Sequence, residues 1–156
     1  MNFIGFQLPF DALVAVLAIP AAAAVVLVLL PGYWLSARLN VLASLATWLA
    51  ALTLFVERPA PSPYLFVDDL NIVFVVLATF VGFTTSAFSA SYIGHELEIG
   101  RLTPRYLRFY HAMYQTLMFA MNLGLIANNI GLMWVAIEIA TLTTVLMVGK
   151  IGRAHV

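Results

Sequence analysis

The sequence predicts an all-α integral membrane protein, a bundle of about five transmembrane helices with no soluble domain. Three observations carry that expectation. The 156 residues are 63% hydrophobic and 9% charged, with a mean hydropathy of +1.02, whereas soluble domains carry about 25% charged residues. So little polar surface cannot keep a water-facing protein dissolved. Five apolar stretches approach the length of about 20 residues that a helix needs to cross the hydrocarbon. Between them lie the prolines, glycines and charges that interrupt helices.

The elements follow in order. Residues 11–30 form the first span, with Pro20 inside it as an expected kink that membrane helices tolerate. The N-terminus lacks the basic region and small-residue cleavage site of a signal peptide, so this span is expected to be retained. Pro31-Gly32 breaks the chain, and residues 35–56 form the second span. A Pro-rich connection over 57–69 leads to the third span, residues 70–92. Residues 96–108 read as an interfacial loop or short helix broken at Pro104. Residues 109–127 form the fourth span, Asn128-Asn129 a short uncharged connection, and residues 130–149 the fifth span. Residues 1–149 thus make one membrane domain.

The end of the chain reads differently. Lys150-Ile-Gly-Arg-Ala-His-Val156 back-translates without conflict to aag atc gga aga gca cac gtc. After its first letters this is the start of a common short-read sequencing adapter. Residues 150–156 are therefore expected to be an artefactual tail, and Lys150, Arg153 and His155 carry no functional weight.

Orientation follows from Lys and Arg in short connections, which stay on the cytoplasmic side. The first connection is flanked by Arg38, and the third holds Arg101, Arg105 and Arg108. The second sets Arg58 against Glu57, Asp68 and Asp69. The expected N-terminus is outside and the end of the fifth span inside.

Glu138 is the residue that most invites a function. It stands about 12 Å along the fifth span from Ile130, towards the middle of the hydrocarbon. An acid at a helix centre costs about 2.5–3.5 kcal/mol on insertion, and each Leu, Ile or Val returns about 0.3–0.6. The nine such residues in this span return roughly 3–5 kcal/mol. The two contributions nearly cancel, so the helix inserts marginally alone and needs neighbours that shelter its acid. An ionisable group retained there is by default a functional candidate.

Trp134 and Thr141, four before and three after, share its helix face. Thr141 is placed to hydrogen-bond the acid and Trp134 to pack over it. Asn122, near the same level in the fourth span, is either a partner for the acid or interhelical glue. His111 opens the fourth span near the cytoplasmic side, as a proton-passing group or an ordinary interfacial histidine. The hydroxyls of Thr79, Thr84, Thr85, Ser86, Ser89 and Ser91 line a hydrated path or serve helix packing. Asp68 and Asp69 are expected to cap the third span.

Other chemistry finds no support. The chain has no cysteine, so there is no disulfide frame, thiolate metal site or iron–sulfur ligation. His95, His111 and His155 lack metal-ligand spacing. The formal net charge is zero, which gives no indication of nucleic acid. No Gly-rich phosphate loop and no nucleophile with a base is present.

An ordered set of segments resembles a known family. Val67-Asp68-Asp69-Leu70, Phe88-Ser89-Ala90-Ser91-Tyr92-Ile93, Arg108-Phe109-Tyr110 and Trp134-Val-Ala-Ile-Glu138 are similar to the start of the antiporter-like membrane subunits. That superfamily comprises the large proton-channel subunits of complex I, the cation/proton antiporter subunits of the Mrp type and the membrane subunits of group 4 hydrogenases. Ser91-Tyr92-Ile-Gly-His95-Glu96 and Phe109-Tyr-His-Ala-Met-Tyr most resemble the hydrogenase 4 component F branch, of formate hydrogenlyase type. Asp69 and Ile137 stand where the family often has Gly and Trp.

The resemblance implies that Glu138 belongs to a proton-transfer route along the middle of the membrane; Thr141, Trp134, Asn122 and His111 are its possible supporting residues by position. It implies a longer protein, with many more spans and a Lys in the seventh that partners this Glu. It also implies a subunit with no redox centre or cofactor of its own. Other membrane subunits and a peripheral hydrogenase or dehydrogenase arm would carry nickel–iron or iron–sulfur chemistry, in the cytoplasmic membrane of a prokaryote. Two alternatives stand beside it: a Mrp-type cation/proton antiporter subunit, and a non-transporting membrane anchor in which Glu138 is structural.

Overall fold

A computed structural model describes the backbone of residues 11–30, 32–98 and 104–151, and the side chains of 11–30, 32–90 and 108–149. Five helices follow one another: α1 (Ala12–Leu29), α2 (Tyr33–Thr53), α3 (Asp69–Glu98), α4 (Pro104–Ile126) and α5 (Ile130–Ile151). Among the described residues the only β pairing is an isolated antiparallel bridge between Leu65 and Ala127. The all-α membrane bundle expected from composition is the observed architecture.

Local chemistry sets the helix ends. Asp11 caps α1, its carboxylate accepting from the Leu13 amide at 2.9 Å and the Val14 amide at 3.4 Å, which satisfies donors that a helix start leaves free. The helix then runs through Pro20. Gly32, before α2, has φ 94° and ψ 140°, close to backbone space that glycine alone uses freely. Asp68 caps α3, accepting from the Asn71 amide at 2.7 Å, and Asp69 in its first turn pairs with Arg58. Asn129 caps α5 through bonds from the amides of Gly131 and Leu132.

The third connection differs from expectation. α3 continues to Glu98, and α4 begins on Pro104. Proline opens the helix instead of breaking one, because the first helical position needs no amide donor.

Among the described residues four helices, α1, α2, α3 and α5, are long and apolar enough to cross a membrane. At 23 residues, or roughly 34 Å, α4 matches them in length but is more polar. Its position explains this: among the described residues α4 packs against α1, α2, α3 and α5, whereas α5 packs against α4 alone. A helix surrounded by others can carry polar groups that lipid would not tolerate.

The two ends of the bundle are distinct. The second and fourth connections meet at one end, where the Asn128 amide donates to the Tyr64 carbonyl at 2.8 Å and the Phe66 amide to the Ile126 carbonyl at 2.9 Å. At the other end the Arg108 guanidinium donates to the Leu30 carbonyl at 3.3 Å. The helices therefore alternate in direction, as successive spans must. An apolar cluster closes the first end, built from Leu13 and Val16 of α1, Ala51 and Leu54 of α2, Ile72 and Val75 of α3 and Ile126 of α4.

Candidate functional site

Two polar features stand out in this apolar bundle, and they lie on different faces. The first is Glu138. The buried residues of α5 among those described are Ala136 and Thr143. At about 100° per residue, Glu138 sits about 200° around the helix from Ala136, on the far side from α4. It is exposed, as are Trp134, Ile137, Thr141 and Leu142. Thr141 shares that face but donates its hydroxyl to the Ile137 carbonyl at 2.9 Å, not to the acid. Trp134 is 62% exposed and stands open beside the acid.

Asn122 and Glu138 are not brought together. Asn122 is fully buried within the bundle, and neither its amide nitrogen nor its oxygen has a hydrogen-bond partner. Of the two roles open to it, partner of this acid is not the one adopted here. His111, about two turns into α4, is fully buried within the bundle, with its ring beside those of Tyr33 and Tyr110 at centroid distances of 6.2 and 5.5 Å. Three of the α3 hydroxyls serve their own helix: Thr79, Thr84 and Ser86 each donate to a carbonyl three or four residues back. The side chain of Ser91 lies outside the described residues.

The second feature is a polar seam between α2 and α4 that sequence reasoning passed over. Ser36, Asn40, Ser44 and Thr47 of α2 are buried, and so are His111, Gln115 and Asn122 of α4. The contacts Tyr33–His111 and Asn40–Gln115 show that α2 and α4 run in the same direction. Gln115 is the centre. Its amide nitrogen faces the Asn40 carbonyl at 3.0 Å, the Asn40 side-chain oxygen at 2.8 Å and Ser44 Oγ at 2.9 Å. Thr47 and Asn122 each lie seven residues further on, about 10 Å along their parallel helices and so at one level.

The seam is only partly satisfied from within. Asn40 Nδ2, Gln115 Oε1, both nitrogens of His111 and both side-chain atoms of Asn122 are buried without a hydrogen-bond partner. A buried polar atom left unpaired costs about 1–3 kcal/mol. Six of them would consume most of the roughly 5–15 kcal/mol of stability that a folded domain has.

The seam does have a signal in the sequence. Polar residues at 36, 40, 44 and 47, and at 111, 115 and 122, recur at helical spacing within otherwise apolar spans.

A protein from Methylacidiphilum infernorum (isolate V4), named Hydrogenase-4 component F homolog, is 52% identical to this chain over 135 residues. The match takes in 86% of this chain and 28% of that protein. It bears out the family likeness drawn from the ordered sequence segments. No protein-family model matches the chain, and no solved structure does.

Proposed function

We propose, from the premise that this chain is a relative of hydrogenase-4 component F, that it is the leading membrane portion of a proton-translocating subunit in a hydrogenase complex. The coarser part of that statement, a membrane subunit of such a complex, rests on the relative's name and on the helices apolar enough to span a bilayer. The finer part rests on one observation. Glu138 lies mid-span on a face of α5 that no other described helix covers.

A carboxylate facing lipid at that depth is unfavourable, and intramembrane acids almost always face a bundle interior or a hydrated cavity. The open face of α5 therefore belongs against further helices of the subunit or its complex. There Glu138 acts as a proton-transfer group, taking up and releasing a proton as charge nearby changes. Trp134 and Thr141, exposed on the same face, line that junction. The electron chemistry belongs to partner subunits, and the complex sits in the cytoplasmic membrane of a prokaryote. The arginines flanking the first and third connections support an orientation with that end of the bundle inside and the start of α1 outside.

The test is Glu138→Gln in the complete complex. Glutamine keeps the shape and hydrogen-bonding ability of the acid but cannot carry a proton. Vesicle pH-gradient formation is expected to fall at least tenfold, while hydrogen-dependent electron transfer and subunit levels on a blot are partly retained. Pumping at the wild-type ratio would make Glu138 structural and favour a non-transporting anchor.

A further inference from the structure

The seam between α2 and α4 has no part in the route assigned to Glu138, and α5 does not touch α2. Its free atoms are balanced: Asn40 Nδ2, Asn122 Nδ2 and one imidazole nitrogen donate, while Gln115 Oε1, Asn122 Oδ1 and the other imidazole nitrogen accept. The assignment of the Gln115 amide is fixed by its surroundings. Three oxygens converge on its nitrogen, so turning the amide over would set oxygen against oxygen.

The seam residues themselves cannot close this account. Gln115 and Asn122 are separated by about 10 Å of helix rise, too far for direct pairing. Asn122 has both a donor and an acceptor unused. Among the described residues, the buried polar groups of the seam include no carboxylate, lysine or arginine, so an ion placed there would lack a countercharge from them. Complete burial of Asn40, His111, Gln115 and Asn122 excludes an organic ligand. A neutral molecule of the smallest size that both donates and accepts remains, and buried water typically makes two to four bonds to such groups.

We propose that the α2–α4 seam is an internal water-binding site, a chain of bound water held by His111, Asn40, Gln115 and Asn122. It runs about 16 Å along α4, roughly half the thickness of the hydrocarbon. Its two ends differ. His111 lies towards the end at which Arg108 meets Leu30, while beyond Asn122 and Thr47 the apolar cluster of Leu54, Val16 and Ile126 closes the bundle. The seam is therefore closed beyond Asn122, and it sets the buried His111 imidazole on bound water, separate from Glu138.

The experiment is a high-resolution cryo-EM map of the intact complex in lipid nanodiscs, with the unmodified subunit and with Asn122→Leu. In the unmodified subunit, isolated density is expected at about 2.7–3.2 Å from Gln115 Oε1 and from the Asn122 amide. In Asn122→Leu the second density disappears and the first stays. Direct pairing of these amides with each other, or with side chains from another helix and no density between, would overturn the proposal. A Glu138→Gln map should show the same water, so failure of the Glu138 reading and failure of this one are separate results.

Discussion

At the scale of single residues, the chain separates an acid that faces outward from amides that face inward. Glu138 is exposed on α5, while Gln115 and Asn122 are fully buried. If proton transfer is the role of Glu138, reach and chemistry matter separately. Glu138→Asp keeps the carboxyl and shortens the arm, so pumping is expected to fall only severalfold, well above the Gln variant in the same vesicle assay. Equal loss in both variants would point to packing instead of protonation. Gly32 makes a different demand. A Cβ there meets nothing within 4 Å, so space is not the constraint, but its φ of 94° is. Gly32→Ala is expected to destabilise the bundle by about 1–3 kcal/mol through backbone strain. Denaturation of the purified subunit in detergent would show it, and an unchanged midpoint would mean that the α1–α2 turn has another accessible geometry.

At the scale of elements, α4 and α5 hold opposite positions. α4 is surrounded and carries the buried polar load; α5 is peripheral and mostly apolar around its acid. The acid nearly balances the apolar residues of α5, so the isolated segment Ile130–Gly149 is expected to insert only partly through a translocon. Glu138→Leu removes about 2.5–3.5 kcal/mol of cost and adds a favourable residue, which should make insertion essentially complete. A glycosylation-site reporter in microsomes measures both. Full insertion of the unmodified segment would show that the acid is already sheltered, by snorkelling or local hydration.

At the scale of the whole molecule, the bundle is closed on one side and open on another. α3 and α5 both pack against α4, and between them runs an apolar groove of about 740 Å³ along α4, lined by Leu77, Val81, Met121 and Ile137 among others. The chain spans 28% of the length of the relative it matches, and an open groove beside an uncovered acid is what a portion of a larger helical assembly would present. The alternation of helix directions makes orientation testable. The chain has no native cysteine, so single substitutions report cleanly. Ala60→Cys is expected to react with an impermeant maleimide in intact cells and Arg38→Cys only after lysis. The reverse pattern would invert the assigned orientation.

What the sequence determined by itself is the class, the helices and the family likeness. Bilayer thickness and the need to satisfy every backbone group within a span turn length and apolarity directly into helices, so 130–149 was legible residue by residue. Glu138 was legible for the same reason: a lone acid in such a span stands out against its surroundings. Which way it faces was not. In water, a hydrophobic stripe tells a helix's inside from its outside, but lipid is as apolar as leucine, and α5 offers apolar residues all around. Only packing decided that Ala136 meets α4 and Glu138 points away. Packing likewise decided that Asn122 faces inward with Gln115, and that α2 and α4 run parallel with their amides at matching levels. Those pairings join residues about 75 positions apart and depend on the order in which helices surround α4, which no local pattern of residues encodes.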